Sequence, residues 1–267
     1  MKFEEIISPV SENLNLVEVE LKKMGGKLST DHLKEIIEYF FNIKGKRLRP
    51  ILALLSSGMI VNNLPKSKND QLLQFAVGIE LMHSASLIHD DVIDGDLFRR
   101  GQNTLNNIYG KKVAVLAGDV VYSLAFAALA NSLPKEYEQM IVELTENMCA
   151  AEVIQAKYMT PTRELYFEII KGKTALFMAV SCKIGAALAG ATKEQLTSIE
   201  AYGLNLGLAY QIMDDCIDKD IDAKLNITIE EAKKFGNSAI ASLESFEDSA
   251  YKTSLINLVT LITQRSK

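Results

Sequence analysis

The chain has 267 residues, 48% hydrophobic and 24% charged, with a formal net charge of −5 at pH 7. Such a make-up suits a globular protein with a sizeable core, and its acidic balance excludes a general attraction to nucleic acid. The three cysteines, Cys149, Cys182 and Cys216, form no C-x-x-C pair, which excludes a zinc ribbon or a disulfide framework and predicts buried free thiols in a reducing compartment.

The first residues, MKFEEIISPVSENL, carry no apolar signal core. No run reaches the roughly 18 apolar residues that span a bilayer, so a cytoplasmic protein without a transmembrane segment is expected. Apolar residues recur at three- and four-residue steps nearly throughout. They predict helices at 11–24, 31–43, 49–61, 70–95, 112–131, 135–159, 162–189, 193–219, 228–245 and 249–264. Gly25-Gly26, the NNLPKSKND stretch, DLFRRGQN and Pro134 punctuate them. Pro161 suits a first helical turn, and Thr192 with Gln195 and Thr228 with Glu231 have the spacing of capping boxes. The expectation is one all-α domain over residues 1–267.

Two segments echo each other. LIHDDVIDGD (87–96) and QIMDDCIDKD (211–220) share the pattern D-D-x-x-D-x-D, each at the end of a long apolar helix. Residues i and i+4 share a helix face, so Asp90 pairs with Asp94 and Asp214 with Asp218. Like charges at that spacing repel, and a helix C-terminus disfavours carboxylates. A hard cation offsets both costs. Mg²⁺ takes one or two carboxylates and completes its shell with water and phosphate oxygens, so the two clusters together could hold several ions around one diphosphate. Solvated acidic helix ends are the plain alternative. An EF-hand fails, because the twelfth position counted from Asp90 is Gly101 rather than glutamate.

Cations cluster as well. KGKRLRP (44–50) supplies Lys46, Arg47 and Arg49; Arg99 and Arg100 follow the first acidic segment; Lys171 and Lys173 flank Gly172 before Thr174. The GKT triplet is not a P-loop, because Phe167 stands where the earlier glycine belongs and no strand precedes it. Arginine forks match phosphate oxygens. His83 lies seven residues before Asp90 and points the same way.

These motifs resemble the trans-prenyltransferase family of head-to-tail polyprenyl diphosphate synthases over roughly residues 40–220: HDDVIDGDLFRRG, YQIMDDCID, GKRLRP and KGKTA are each similar to a family motif. The resemblance implies an all-α isoprenoid synthase bundle around a central cavity, and a homodimer. It implies Mg²⁺, three ions with substrate bound, on Asp90, Asp94 and Asp214, with Asp91, Asp215 and Asp218 in support. It implies that Arg99, Lys173 and Gln211 meet an allylic diphosphate, that Lys46, Arg49, His83 and Arg100 hold isopentenyl diphosphate, and that Thr174 and Gln155 line the reacting region. The catalytic set is then Asp90, Asp91, Asp94, Lys173, Asp214 and Asp215. Released diphosphate would take the proton, so no separate protein base is nominated.

The residues upstream of Asp90 bear on product length. Ala85 and Ser86 are small where bulky aromatics stop chain growth in the family, and Met82 lies deeper. A long-chain product is expected; a farnesyl or geranylgeranyl synthase is the short-chain alternative. A non-catalytic subunit of a heteromeric synthase is a further alternative, disfavoured by the presence of both acidic motifs. A terpene cyclase is disfavoured because Asp218 and Asp222 stand where its metal triad has Ser/Thr and Glu. Relative to the family, a segment is expected to be lacking after about residue 220. The family's loop lysine then has only Lys219 and Lys224 as candidates.

Overall fold

The computed structural model describes residues 2–26, 28, 30–43, 45–158, 160–218 and 223–265. The helices are α1 (Phe3–Ile7), α2 (Ser11–Gly26), α3 (Asp31–Asn42), α4 (Leu48–Ile60), α5 (Lys66–Asp94), α6 (Leu105–Tyr109), α7 (Lys111–Ala130), α8 (Glu138–Lys157), α9 (Arg163–Ile170), α10 (Leu176–Leu188), α11 (Lys193–Asp218), α12 (Ile229–Ala241) and α13 (Ala250–Thr263). The fold is all-α, as the periodicity predicts. Among the described residues the strands are confined to one hairpin, β1 (Phe98–Arg99) and β2 (Gln102–Asn103). Its turn residues Arg100 and Gly101 have φ of 53° and 75°, the left-handed conformations that match strand twist in a two-residue hairpin.

Contacts group the chain into two compact units. One comprises Met1–Ser11, Ile51–Lys68 and Pro134–Lys267; the other comprises Glu12–Pro50 and Asn69–Leu133. In the first, α11 lies along α10 and α12. It comes close because Gly203 and Gly207, one turn apart, face the chain at Ala179 and Ala175; a Cβ at either glycine would stand 2.7 or 2.5 Å from the facing Cα. Tyr202, fully buried beside them, donates to the Leu255 carbonyl of α13 at 2.8 Å. In the second unit, α5 and α7 are joined where His89 donates through Nε2 to the Val115 carbonyl at 3.1 Å.

Several expectations are corrected. The span 162–189 is not one α-helix: a π-helical turn, Lys171–Ala175, separates α9 from α10. Pro161 precedes the helix instead of entering it, because Thr162 caps α9 by accepting from Leu165 N at 3.3 Å. The Thr192–Gln195 box is complete, with bonds of 2.9 and 3.3 Å. The second box is half-formed: Thr228 accepts from Glu231 N at 3.3 Å, while the Glu231 carboxylate turns to Arg163. Cys149 is exposed rather than buried. The run from Val113 to Ala130 holds one charge, Asp119, so α7 is long and apolar enough to cross a membrane by length and composition. Less than half of it is buried. Its buried face combines small residues (Ala114, Ala117, Gly118, Ala125) with Val121 and Leu129, while Val115, Leu116 and Phe126 are exposed. Short α1 and α6 escape sequence reading because five residues show no period.

Candidate active site

In the second unit the first acidic motif closes α5. The apolar helix runs to Ile88, and the next turns carry Asp90, half-buried, and Asp94, exposed. Asp91 points elsewhere. It is buried, and Arg99 Nε donates to its Oδ1 at 2.5 Å. Burial raises its carboxyl above the ordinary range against the opposing pull of Arg99. The Asp91 backbone carbonyl accepts from Asp96 N at 3.0 Å and from Asn106 Nδ2 at 3.2 Å. Thr104 Oγ1 donates to the Asp96 carbonyl at 2.8 Å. The motif, the hairpin and the start of α6 are thus laced together, and Arg99 is aimed by Asp91.

Beside this turn a small solvent-open cavity is lined by Phe40, Phe41, Arg47, His83, Arg99 and Arg100, among others. Arg49 is buried nearby and Lys46 is exposed. Burial, then the charges of Arg49 and Arg100, hold the His83 imidazole well below its usual range, so it serves as a neutral donor or acceptor. As pH falls below about 6.5 the unfolded chain protonates this histidine while the folded one resists, so stability declines by up to about 1.4 kcal/mol per pH unit. Melting curves between pH 8 and 5 are expected to show this loss, and His83→Gln to flatten it.

The first unit holds the second cluster. Gly203, Gly207, Gln211 and Asp215 fall on one face of α11, the face packed on the π-turn. Thr174 Oγ1 donates to Gln211 Oε1, Gln211 Nε2 to Asp215 Oδ1 and Tyr166 Oη to Asp215 Oδ2, each at 2.8 Å. The Asp215 carboxylate is therefore held by neutral donors, and the tyrosine proton is held firmly in return. Asp214 and Asp218 lie off that face. Asp214 accepts from Arg265 Nη1 at 3.0 Å, and the same guanidinium stacks 4.7 Å above Tyr210. Asp218 is exposed. Lys173, presented by the π-turn, pairs with Glu152 at 2.5 Å and reaches Gln155 Oε1 at 3.3 Å. A π-turn inserts one residue into a helix and often marks a functional position.

The structure brings Thr174, Gln211 and Asp215 together, and Lys173 with Gln155. In the other unit it gathers His83, Asp91, Arg99 and Arg100 around the cavity. Met82 and Ala85 are fully buried, and half-buried Ser86 donates to the His83 carbonyl at 2.8 Å. Lys219, Asp220 and Asp222 lie outside the described residues; Lys224 sits exposed in a short turn, Ala223–Leu225. Sequence reasoning missed Tyr166, Glu152, Asn106, Arg265 and Glu80. Of these, only Glu80 carried a local signal: it is the lone formal charge between Gln71 and His89.

The donor set fits a hard cation. Each cluster offers carboxylates at i and i+4, Asp90 with Asp94 and Asp214 with Asp218. Among the described residues no three His, Cys, Asp or Glu side chains could hold an ion by themselves.

Comparison with known proteins identifies the family. The polyprenyl synthetase family model matches residues 30–226. The short chain isoprenyl diphosphate synthase of Methanothermobacter thermautotrophicus is 32% identical over 221 residues, 80% of this chain and 66% of that protein. The all trans-polyprenyl-diphosphate synthase of Homo sapiens is 37% identical over 196 residues, 72% of this chain and 47% of that one. The chain thus spans about two thirds and about half of these relatives' lengths. A crystal structure of polyprenyl synthase from Caulobacter crescentus CB15, complexed with calcium and isoprenyl diphosphate, superposes with a TM-score of 0.89 at 21% identity, covering 100% of this chain and 98% of the other. Its likeness carries the fold, the family model carries the motifs, and the chain belongs to the polyprenyl synthetase family.

Proposed function

We propose that the chain condenses isopentenyl diphosphate with an allylic diphosphate, in a Mg²⁺-dependent reaction, to give a trans-polyprenyl diphosphate. The observation that carries this reading is the duplicated carboxylate pair. Asp90/Asp94 and Asp214/Asp218 share one spacing at the ends of two helices, and arginine-rich walls stand near the first pair. Mg²⁺ would be held by these carboxylates, and when bound it would supply Lewis-acid neutralisation of a departing diphosphate. The chain's own residues do the rest. Arg99, aimed by Asp91, and Lys173 with Gln211 orient the allylic diphosphate. Lys46, Arg49, Arg100 and neutral His83 hold isopentenyl diphosphate, so that its double bond attacks the allylic carbon as the C–O bond breaks. Apolar helix surface shields the allylic cation from water. The released diphosphate takes the proton lost from the new chain.

Incubation with Mg²⁺, labelled isopentenyl diphosphate and allylic primers of several lengths tests the reading. A product ladder ending at one length supports it. Failure of incorporation by the pure protein, with rescue by a second polypeptide, favours a heteromeric subunit.

The small side chains at Ala85 and Ser86 support a long-chain product. Ser86→Phe is expected to shorten the dominant product by at least one isoprene unit, read by mass spectrometry of the ladder. The exposed apolar residues of α7 support a homodimer, in which a second copy covers Leu116 and Phe126. Leu116→Glu is expected to convert a dimer to monomer in light scattering, because an unpaired buried carboxylate costs several kcal/mol.

A further inference from the structure

Glu80 poses a problem of charge. It is the lone formal charge between Gln71 and His89 of α5, it is buried, and it borders a cavity walled by arginines. An acid in such a wall opposes the anion the cavity is read to take. Its bonds explain its presence. Arg47 Nη1 donates to Glu80 Oε1 at 3.0 Å, while Arg47 Nε and Nη2 donate to Glu18 at 2.5 and 3.4 Å. Arg47 is itself buried, with φ of 52°, a left-handed conformation that no arginine prefers. Buried ion pairs contribute little net stability compared with apolar packing, and Glu80 Oε2 makes no hydrogen bond among the described residues. The fold alone gains little from this arrangement.

We infer that Glu80, together with Glu18, is a counter-charge that withholds Arg47 from an anion in the cavity, and so limits how tightly the cavity retains a diphosphate. Glu80 is a positioning residue acting through Arg47. The inference rests on the reading of this cavity as a diphosphate pocket. Its chemistry is simple: a guanidinium whose forks are taken by carboxylates has few donors left for phosphate oxygens. An enzyme that turns over also gains nothing from gripping substrate and product equally hard.

The test is calorimetric titration of the metal-free protein with inorganic pyrophosphate. Glu80→Gln is expected to bind about tenfold more tightly, the worth of one charge-assisted hydrogen bond transferred to the ligand. Glu80→Gln/Arg47→Met is expected to lose that gain. Tightening is a readout that simple damage to the fold does not produce. Half-exposed Glu18→Gln, a milder change, is expected to tighten binding by a smaller factor; it decides the matter if Glu80→Gln does not fold. Unchanged or weaker binding in these variants, while Arg49→Met abolishes binding, overturns the inference and leaves the pocket reading standing. Unchanged binding in Arg49→Met overturns the pocket reading and the inference with it.

Discussion

Asp90→Asn is expected to lower turnover about a thousandfold at saturating Mg²⁺ and substrate, because one metal-borne charge stabilisation is worth several kcal/mol. The substitution keeps the size of the side chain and removes one of the two carboxylates that share the terminal face of α5. It also removes a like-charge repulsion at a helix C-terminus, so the melting temperature is expected to hold or rise slightly. Loss of activity with retained or increased stability separates a ligand from a structural residue. Asp91→Asn is expected to behave differently. Its carboxylate is buried and holds Arg99, so its loss frees the guanidinium and lowers stability together with activity. Turnover and thermal melts on both variants give the comparison.

Gly207→Ala is the second large effect, and its sign is decided by magnitudes. Alanine in a helix interior gains about 1 kcal/mol over glycine. Here the new methyl would stand 2.5 Å from the Ala175 Cα, against backbone that cannot rotate away. Overpacking of this kind costs about 1–3 kcal/mol or more, so net destabilisation is expected, with a fall in melting temperature of about 5 °C. The shift also moves the π-turn that presents Lys173 and Thr174, so turnover is expected to fall about tenfold or more, since displacements near 1 Å are catalytically costly. Gly26→Ala, with nothing within 4 Å of the added carbon, is the control expected to leave both unchanged.

What the sequence disclosed follows from what is local. The pairs Asp90/Asp94 and Asp214/Asp218 are a matter of helical spacing, and spacing is visible without coordinates. The long helices were legible for the same reason. The partners of Asp91 and Asp215 were not, although both stand in the same motif. Asp215 is held by Tyr166, 49 residues away in the chain, and that pairing depends on how α9 meets α11. The π-turn was hidden because one inserted residue barely disturbs a hydrophobic repeat. Glu231 matched a capping box by spacing, yet the stronger attraction of Arg163 drew its carboxylate away. The exposed face of α7 escaped notice because Ala114, Ala117, Gly118 and Ala125 read as filler, when they lie on the side that packs.

In the proposed reaction Asp90 and Asp214 are each required for metal-dependent binding of a diphosphate. Manganese binding in the presence of pyrophosphate, followed by electron paramagnetic resonance on Asp90→Asn, Asp214→Asn and the double variant, tests it most directly. If each is required, each single variant weakens pyrophosphate-dependent binding, and the double variant falls well short of the product of the two losses. Losses that multiply, or manganese binding indifferent to pyrophosphate, would contradict the account.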